Sequence, residues 1–276
     1  MGPELDTRLD ALSARLRSLG SVLVAFSGGA DSAFLLAAAA RELGTANVVA
    51  ATAVSPSLAL AELPAAAAFA AALGVRHVTP GTDELSRPGY VANAGDRCFH
   101  CKATLLDTLR PVAAELGLAH VATGTNADDA VAGFRPGIQA AAQRGAATPL
   151  LDAGLTKAQV REASRRWGLV TADKPALACL ASRIAYGVPV TTGRLARVDR
   201  AETGLRVLLG DVVTDLRVRD LGDDAARIEL DPVALAACDD RALDLVRAEG
   251  FTTVTTAVYR TGALNDALVG PSAAAR

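Results

Sequence analysis

Residues 22–32 have the sequence VLVAFSGGADS, and the expected architecture of the chain follows from this stretch. The apolar run Val22–Phe26 predicts a buried strand, and the pattern after it predicts a helix that begins near Asp31. Gly28 and Gly29 let the backbone turn tightly between the two elements and present its N–H groups to an anion. The first amides of the helix and its positive dipole end add to the same site. The sequence therefore predicts a strand, a phosphate-binding loop and a helix in succession.

The side chains of this loop fit a nucleotide with a bound magnesium ion. Ser27 and Ser32 carry hydroxyl groups that can donate to phosphate oxygens, and Asp31 beside a phosphate is best explained as an Mg²⁺ ligand. The motif GxxxxGK[ST] occurs nowhere in the sequence, which disfavours transfer of a γ-phosphate of the kinase or GTPase type. We expect a phosphate group and Mg²⁺ at this loop. The simpler alternative is a glycine-rich turn that binds nothing.

Strand and helix patterns alternate from this loop onward. Strands are predicted at 22–26, 47–54, 75–79 and 119–123, and helices at 33–43, 60–73, 103–116 and, after a cap at Thr156, up to Gly168. This alternation predicts an α/β, Rossmann-like fold, in which a parallel sheet has helices on both faces.

The pattern restarts after an irregular stretch at residues 171–192. A helix is predicted at 193–209, strands at 215–219 and 227–230, a helical stretch at 232–249 and a strand at 252–258. These elements predict a smaller α+β domain. We therefore expect two domains, residues 1–184 and residues 185–276.

A second polar segment follows the fourth predicted strand. Residues 124–129 have the sequence GTNADD, and parallel sheets bind ligands beyond the carboxyl ends of their strands. We expect Gly124 to contact the nucleotide and Asp129 to be a second Mg²⁺ ligand. The alternative is that this segment is an ordinary helix N-cap. Ser55, beyond the second strand, is the predicted side-chain contact to the adenine.

Three of the four cysteines form a pattern suited to sulfur or metal chemistry. Cys98 and Cys101 form a CxxC, which suits a metal, a cluster or a redox pair, and no second CxxC or HxxxH is present to complete a zinc site. Arg183 is close to Cys179 in sequence and favours its thiolate. Three thiolates are what a [4Fe–4S] cluster needs when its fourth iron binds another ligand. The alternative for Cys179 is that it is a small buried apolar side chain. We interpret Cys238 as such a side chain.

The charge balance argues against several classes of partner. The chain has 28 basic and 30 acidic residues and a net charge of −2, so it has no general attraction for nucleic acid or anionic membranes. The first residues carry charges throughout, unlike a signal peptide, and the alanine-rich runs are too short to span a bilayer. We therefore expect a cytoplasmic protein with no nucleic-acid or membrane partner.

The motif SGGADS after a strand resembles the PP-loop of the N-type ATP pyrophosphatases. That superfamily includes NAD synthetase, GMP synthetase, asparagine synthetase and tRNA-thiolating enzymes. The resemblance implies a domain of the HUP type, also called adenine nucleotide alpha hydrolase-like. It also implies cleavage of ATP between the α- and β-phosphates, an adenylylated intermediate and release of pyrophosphate.

A narrower resemblance extends over about residues 20–268. The blocks RCFHCK, KPALACLASRIAYGVPVT, LRVRDLGDDAARIEL and YRTGALNDAL follow SGGADS in the order found in the LarE family. The resemblance implies an ATP-dependent sulfur transferase. Its substrate would be pyridinium-3,5-biscarboxylic acid mononucleotide, whose carboxylates become thiocarboxylates on the way to the nickel-pincer cofactor of lactate racemase. The family also implies a hexamer, an upstream carboxylase and a downstream nickel-inserting enzyme.

The LarE resemblance implies roles for individual residues. Cys179 matches the family's sulfur-bearing cysteine, which in one branch gives up its own sulfur and in the other holds a [4Fe–4S] cluster with two further cysteines. The presence of a CxxC favours the cluster branch, with Cys98, Cys101 and Cys179 as ligands. The residues that match the binding site for the substrate phosphate are Ser182, Arg183, Arg217 and Arg219.

Arg217 and Arg219 also support a phosphate site without the resemblance. They are two residues apart on a predicted strand, so their side chains point to the same face. Two guanidinium groups on one face suit a phosphate. The alternative is an exposed strand edge of alternating charge.

Three other functions compete with this prediction. A tRNA thiolase combines a PP-loop with similar cysteines, but it should carry a basic groove or an added RNA-binding domain. An amide ligase of the NAD synthetase type has no need of the cysteines. A non-catalytic nucleotide-binding module of the universal stress protein kind has no reason to combine the CxxC, Cys179 and the arginine strand.

Overall fold

The computed structural model describes residues 2–59, 61–131, 135–175 and 178–260. The chain has two compact units: one comprises Met1–Glu84 and Cys98–Leu177, and the other comprises Leu85–Arg97 and Ala178–Arg276. The second unit shares residues 185–276 with the predicted carboxyl-terminal domain. The predicted boundary between residues 184 and 185 itself stays a prediction.

The helices of both units are short or of medium length. In chain order they are α1 Gly2–Leu19, α2 Ala30–Leu43, α3 Glu62–Ala72, α4 Pro88–Val91, α5 Arg97–Glu115, α6 Ala127–Val131, α7 Pro136–Gln143, α8 Pro149–Asp152, α9 Lys157–Arg166, α10 Thr192–Leu209, α11 Pro232–Ala236 and α12 Asp240–Ala248. Short 3₁₀ helices occur at Thr45–Asn47, Glu84–Ser86, Leu180–Arg183 and Gly210–Val212. Over the part of the chain that the structure describes, no helix combines the length and apolar character needed to cross a membrane.

The first unit contains a parallel sheet of four strands. These are β1 Val22–Ala25, β2 Val48–Ala51, β3 Arg76–Val78 and β4 His120–Thr123, in the spatial order β3-β2-β1-β4. The last residue of β1, Ala25, is opposite Ala51 of β2 and Thr123 of β4. The carboxyl ends of these strands therefore meet at one edge, where the segments after β1, β2 and β4 leave the sheet.

The side chains of β1 alternate between two hydrophobic cores. Val22 and Val24 pack in a core that includes residues of α1, α2 and α9. Leu23 packs in a second core with Leu106 and Leu109 of α5. Because both faces of the sheet are covered by helices, the central strands β1 and β2 are apolar throughout rather than alternately polar, whereas the edge strand β3 contains Arg76 and His77. The predicted Rossmann-like parallel sheet with helices on both faces is confirmed.

The second unit contains a mixed sheet of three strands, β5 Leu216–Gly222, β6 Ala225–Leu230 and β7 Thr253–Val258. β6 is antiparallel to β5 and parallel to β7. Asp223 and Asp224, with φ of 47° and 52°, form the tight turn between β5 and β6, as expected for a two-residue hairpin loop. Helix α10 packs against β5 and α12.

Two predicted elements differ from the structure. Helix α5 begins at Arg97 rather than at residue 103, so the CxxC lies on a helix. The helical stretch predicted at 232–249 is two helices, because Asp239 accepts hydrogen bonds from the N–H groups of Arg241 and Ala242 and caps α12. The predicted cap at Thr156 is confirmed, and its hydroxyl accepts from the N–H of Gln159 at 3.2 Å.

Candidate functional site

The segment between β1 and α2 has the geometry of an anion site. Gly28 has a φ of +73°, which side chains of L-residues rarely adopt, and Gly29 is the N-cap of α2. The N–H of Ala33 donates to the Gly29 carbonyl at 2.9 Å, so the amides before Ala33 point out of the amino-terminal end of the helix. No side chain among the described residues caps this end. The segment thus offers main-chain N–H groups to an anion.

Two serine side chains meet at the same turn. Ser27 Oγ and Ser32 Oγ are 3.1 Å apart, and the Ser32 hydroxyl is also within 3.1 Å of the Gly29 carbonyl. The N–H of Gly29 donates to Ser27 Oγ at 3.4 Å. Both hydroxyl groups predicted for the loop are therefore next to the exposed amides.

Asp31 and Asp129 are connected through Asn126. The Asn126 side chain donates from Nδ2 to Asp31 Oδ1 at 3.3 Å, and the main-chain N–H of Asn126 donates to Asp129 Oδ2 at 3.2 Å. Asn126 Oδ1 also accepts from the N–H groups of Asp128 and Asp129 at 3.0 and 3.2 Å, so the alternative that this segment caps a helix is confirmed. The cap and a cation site are compatible, since the same asparagine holds the two predicted Mg²⁺ ligands.

The electrostatics at Asp31 favour a cation. Burial raises the pKa of Asp31, and the Asp129 carboxylate acts in the same direction. Lys157 and the hydrogen bond from Asn126 oppose that rise in pKa. A half-buried carboxylate beside a second one is stabilised by a divalent cation. Mg²⁺ typically binds one or two carboxylates together with substrate phosphates.

Gly124 allows the end of β4 to approach the start of α2. A Cβ atom on Gly124 would lie 2.9 Å from Ser32 N, 3.0 Å from Ser32 Cα and 3.1 Å from the carbonyl carbon of Asp31. All three are main-chain atoms, so a flexible side chain cannot give way. This close approach explains the glycine, and direct contact between Gly124 and the nucleotide stays a prediction.

Lys174 is a residue of this site that the sequence analysis missed. Its Nζ donates to the Gly28 carbonyl at 3.2 Å and pairs with Glu62 Oε2 at 2.9 Å. The Arg161 side chain donates to the Lys174 carbonyl at 2.9 Å, which holds the backbone of Lys174 to α9. Lys174 also lines an apolar cavity of about 570 Å³ with Gly28 and Phe69. The only local signal was a lysine before a proline in a stretch without periodicity.

Ser55 lies beyond β2, at the same edge of the sheet. Its hydroxyl donates to Glu84 Oε1 at 3.3 Å and accepts from the N–H of Ser57 at 3.2 Å. Thr82 also donates to Glu84 Oε1, at 3.2 Å. These bonds fix the turn after β2, and a contact between Ser55 and the adenine stays a prediction.

The CxxC lies in the first turns of α5. Cys98 is exposed and Cys101 is half-buried, and residues three apart on a helix share a face. Burial lowers the pKa of Lys102, while the Cys101 and Cys98 thiolates and Asp129 act against that shift. A lysine therefore stands beside two thiols. Within the four described ranges, no group of three or more His, Cys, Asp or Glu side chains is arranged to hold a metal ion.

Cys179 has an exposed side chain on a fixed backbone. Its carbonyl accepts hydrogen bonds from the N–H and hydroxyl of Ser182 at 2.9 and 2.7 Å, and from Arg183 Nη1 at 3.1 Å. Arg219 in turn donates to the Ser182 carbonyl at 2.9 Å. The alternative that Cys179 is a buried apolar residue is wrong, because the thiol is open to solvent.

The predicted phosphate ligands gather in a buried ionic cluster of the second unit. Arg183 forms two hydrogen bonds with Glu202, at 2.9 and 3.0 Å, and Arg219 pairs with Glu229 at 2.8 Å. Arg217 and Arg219 are only 8% and 6% exposed, so the alternative of an exposed strand edge is wrong. Burial is the main cause that lowers the pKa of Arg217, followed by the charge of Arg183. An added dianion would relieve that repulsion.

Comparisons with known proteins identify the family of the chain. Residues 5–170 match the family model described as asparagine synthase, which covers β1, the loop and the β4 segment. The chain is 44% identical over 228 residues to an uncharacterized protein of Synechocystis sp., covering 83% of each chain. It is 34% identical over 269 residues to the pyridinium-3,5-bisthiocarboxylic acid mononucleotide synthase of Lactiplantibacillus plantarum, covering 96% of each chain. The chain therefore belongs to the LarE family of the PP-loop ATP pyrophosphatase superfamily.

Proposed function

We propose that this protein is an ATP-dependent sulfur transferase of nickel-pincer cofactor biosynthesis. It would convert pyridinium-3,5-biscarboxylic acid mononucleotide to the bisthiocarboxylic acid mononucleotide by way of an adenylylated carboxylate. The observation that carries the proposal is the turn at Gly28 and Gly29, which leaves the amino-terminal end of α2 without a side-chain cap beside Asp31. The name of the Lactiplantibacillus plantarum relative supports the choice of product.

The first step is activation of a substrate carboxylate. A carboxylate oxygen attacks the α-phosphorus of ATP, the bond to the β-phosphate oxygen breaks, and pyrophosphate leaves. Main-chain amides around Gly29 would stabilise the charge that develops on the leaving group, and Lys174 adds a cation at the Gly28 carbonyl. Asp31 and Asp129 would hold Mg²⁺, which supplies further charge neutralisation when bound.

The second unit would bind the phosphate of the substrate mononucleotide. The cluster around Arg217 includes the glutamates Glu202 and Glu229 and four arginines, namely Arg183, Arg217, Arg219 and Arg227, the last of which also pairs with Glu229. Its net positive charge and the half-buried Ser182 hydroxyl suit the phosphate of a mononucleotide. Because both glutamates already orient a guanidinium, we expect the phosphate to join an organised cluster.

Cys179 is the proposed sulfur-handling residue. In the branch that uses the cysteine's own sulfur, its thiolate attacks the acyl carbon, the bond to AMP breaks, and a thioester forms. Loss of the Cα proton of Cys179 with cleavage of its Cβ–S bond then releases the thiocarboxylate and leaves dehydroalanine. The exposed thiol on a hydrogen-bonded backbone supports this role.

The three cysteines favour the cluster branch, in which a [4Fe–4S] cluster would supply the sulfur in place of the sulfur of Cys179. A [4Fe–4S] cluster on three thiolates supplies an iron that can carry an exchangeable ligand. The shared helical face of Cys98 and Cys101 fits two of its ligands. The described residues contain no complete three-ligand group, so we derive no step through a cluster. The hexamer and the carboxylase and nickel-inserting partners also stay predictions.

The test is a reconstituted reaction under anaerobic conditions. Purified protein is mixed with ATP, Mg²⁺ and pyridinium-3,5-biscarboxylic acid mononucleotide, and AMP, pyrophosphate and thiocarboxylate are measured. Mass spectrometry of the peptide that contains Cys179 then separates the branches. Loss of H₂S indicates transfer of the cysteine's own sulfur, whereas an intact thiol together with about four irons per chain indicates the cluster.

The matched variants are Cys179→Ala and Cys238→Ala. We expect Cys179→Ala to lose thiocarboxylate formation and keep AMP formation, and Cys238→Ala to keep both, because Cys238 is a half-buried thiol outside the proposed site. AMP formation that depends on ammonium would point to an amide ligase, and AMP formation that depends on tRNA would point to a tRNA thiolase. No pyrophosphate with any of these substrates would refute the proposal.

A further inference from the structure

Asn93 is a fully buried residue that holds the segment following Cys179. Its Nδ2 donates to the carbonyls of Ala185 and Val188, both at 2.8 Å, and approaches a third carbonyl of the same segment at 3.3 Å. The main-chain carbonyl of Asn93 accepts from the N–H of Gly187 at 3.1 Å. One asparagine thus satisfies several main-chain groups of a segment that has no regular secondary structure of its own.

Arg97 extends the same network toward Cys179. Its Nη1 donates to Asn93 Oδ1 and, at 2.9 Å, to the carbonyl of Ala181. The guanidinium carbon also lies 5.5 Å from the centre of the Tyr186 ring. Arg97 is 5% exposed and Asn93 is 0% exposed. We refer to Asn93 and Arg97 together as the clamp.

The clamp uses a backbone conformation that is costly for most residues. Asn93 has a φ of 54°, in the left-handed region that asparagine tolerates better than other residues with a side chain. Conformations of this kind persist only where surrounding structure holds them, and they concentrate at functional sites. The buried, hydrogen-bonded Asn93 meets that description.

The constraint set by the clamp passes to Cys179 through a short path. Arg97 holds the Ala181 carbonyl, and the next two residues, Ser182 and Arg183, donate to the Cys179 carbonyl. The Cys179 backbone is therefore fixed from a segment more than 80 residues earlier in the chain, while its thiol stays exposed. A thioester forms only when sulfur and acyl carbon are held at near-attack distance.

We infer that Asn93 and Arg97 are positioning residues that align the Cys179 thiol for attack on the acyl-adenylate. This inference rests on the proposed function, in the branch in which Cys179 gives up its own sulfur. It assigns the clamp an effect on the sulfur-transfer step and none on the earlier formation of AMP. A clamp that only stabilised the fold would affect both steps alike.

The experiment compares three variants in the reconstituted reaction. Asn93→Gly removes the side chain and keeps a residue that tolerates positive φ, and Arg97→Gln removes the guanidinium. Asp239→Ala is the control, because it removes the N-cap of α12 in the same unit, and the Asp239 carboxylate accepts hydrogen bonds from Arg241 and Ala242 rather than from the clamped segment. Each variant is measured for AMP formation, thiocarboxylate formation, melting temperature and hydrogen exchange of residues 178–190.

We expect both clamp variants to lower thiocarboxylate formation about tenfold or more relative to AMP formation, with faster exchange at residues 178–190. Asp239→Ala should lower the melting temperature and keep the ratio of the two products. If a clamp variant does not fold, Arg97→Lys, which keeps the charge and a donor, should give a smaller change in that ratio. An unchanged ratio in folded clamp variants, or an equal change in Asp239→Ala, would overturn the inference alone. An intact Cys179 thiol after turnover would overturn the inference and leave the sulfur-transferase function standing. Wild-type protein that forms no AMP would overturn the proposed function as well.

Discussion

Substitution of Gly124 by alanine tests whether the approach of β4 to α2 holds the nucleotide site together. The new Cβ would lie 2.9 Å from Ser32 N, and ordinary contact begins near 3.4 Å. The two backbones must therefore separate by about 0.5 Å, which is an overpacking change that typically costs about 1–3 kcal/mol. For a unit of this size, each kcal/mol lowers the melting temperature by about 2–4 °C. We expect a decrease of roughly 2–12 °C.

The same displacement moves Asp31 and Ser32 away from the segment that contains Asn126. We expect ATP-dependent AMP formation to fall about tenfold, because small misplacements of catalytic groups have large effects on rate. Melting is followed by calorimetry and AMP by chromatography. Gly81→Ala is the matched control, since a Cβ there meets nothing within 4 Å at the same edge of the sheet. If Gly124→Ala has the melting temperature and AMP formation of the wild type, or if Gly81→Ala loses as much of both, the close approach of β4 to α2 does not hold the nucleotide site together.

Three further substitutions test other contacts. In wild-type protein without Mg²⁺, the pKa of Asp31 is higher in the folded state than in the unfolded chain, so the folded state holds a proton that the unfolded state loses. The free energy of unfolding should therefore fall as the pH rises from 3.8 through the folded-state pKa. Urea titrations of Asp31→Asn should lack that decrease, and AMP formation should be lost. Glu202→Ala leaves Arg183 buried without its carboxylate and should cost about 3–5 kcal/mol; an unchanged urea midpoint would contradict this. Thr156→Ala removes the hydroxyl of a capping box and should cost about 1 kcal/mol in thermal unfolding, with AMP formation preserved.

Local patterns in the sequence predicted much of the fold and the glycine-rich turn after β1. The apolar run at β1 and the glycines after it are neighbours in the chain, so their periodicity and conformational freedom predict a strand and a turn directly. The start of α5 was predicted too late, because the polar CxxC interrupts the apolar pattern that marks the rest of that helix. The break before α12 was missed, because Asp239 was not recognised as a cap.

Strand β5, which contains Arg217 and Arg219, has a property that local sequence could not predict. The spacing of Arg217 and Arg219 predicted a shared face, and both residues lie in β5. Their burial was not predictable from that spacing, because it depends on Glu202 and Glu229, which come from other elements. Buried charges persist only when such partners are present.

By itself, the sequence determined most of the order of strands and helices, the glycine-rich turn after β1 and the family, because each is encoded by residues that are adjacent or regularly spaced. Only the tertiary structure revealed the contact between Lys174 and Gly28, 146 residues apart, and the clamp of Asn93 on the Cys179 segment, about 90 residues away. Such contacts leave no local periodicity. They form when folding brings distant segments together and buried polar groups must find hydrogen-bond partners.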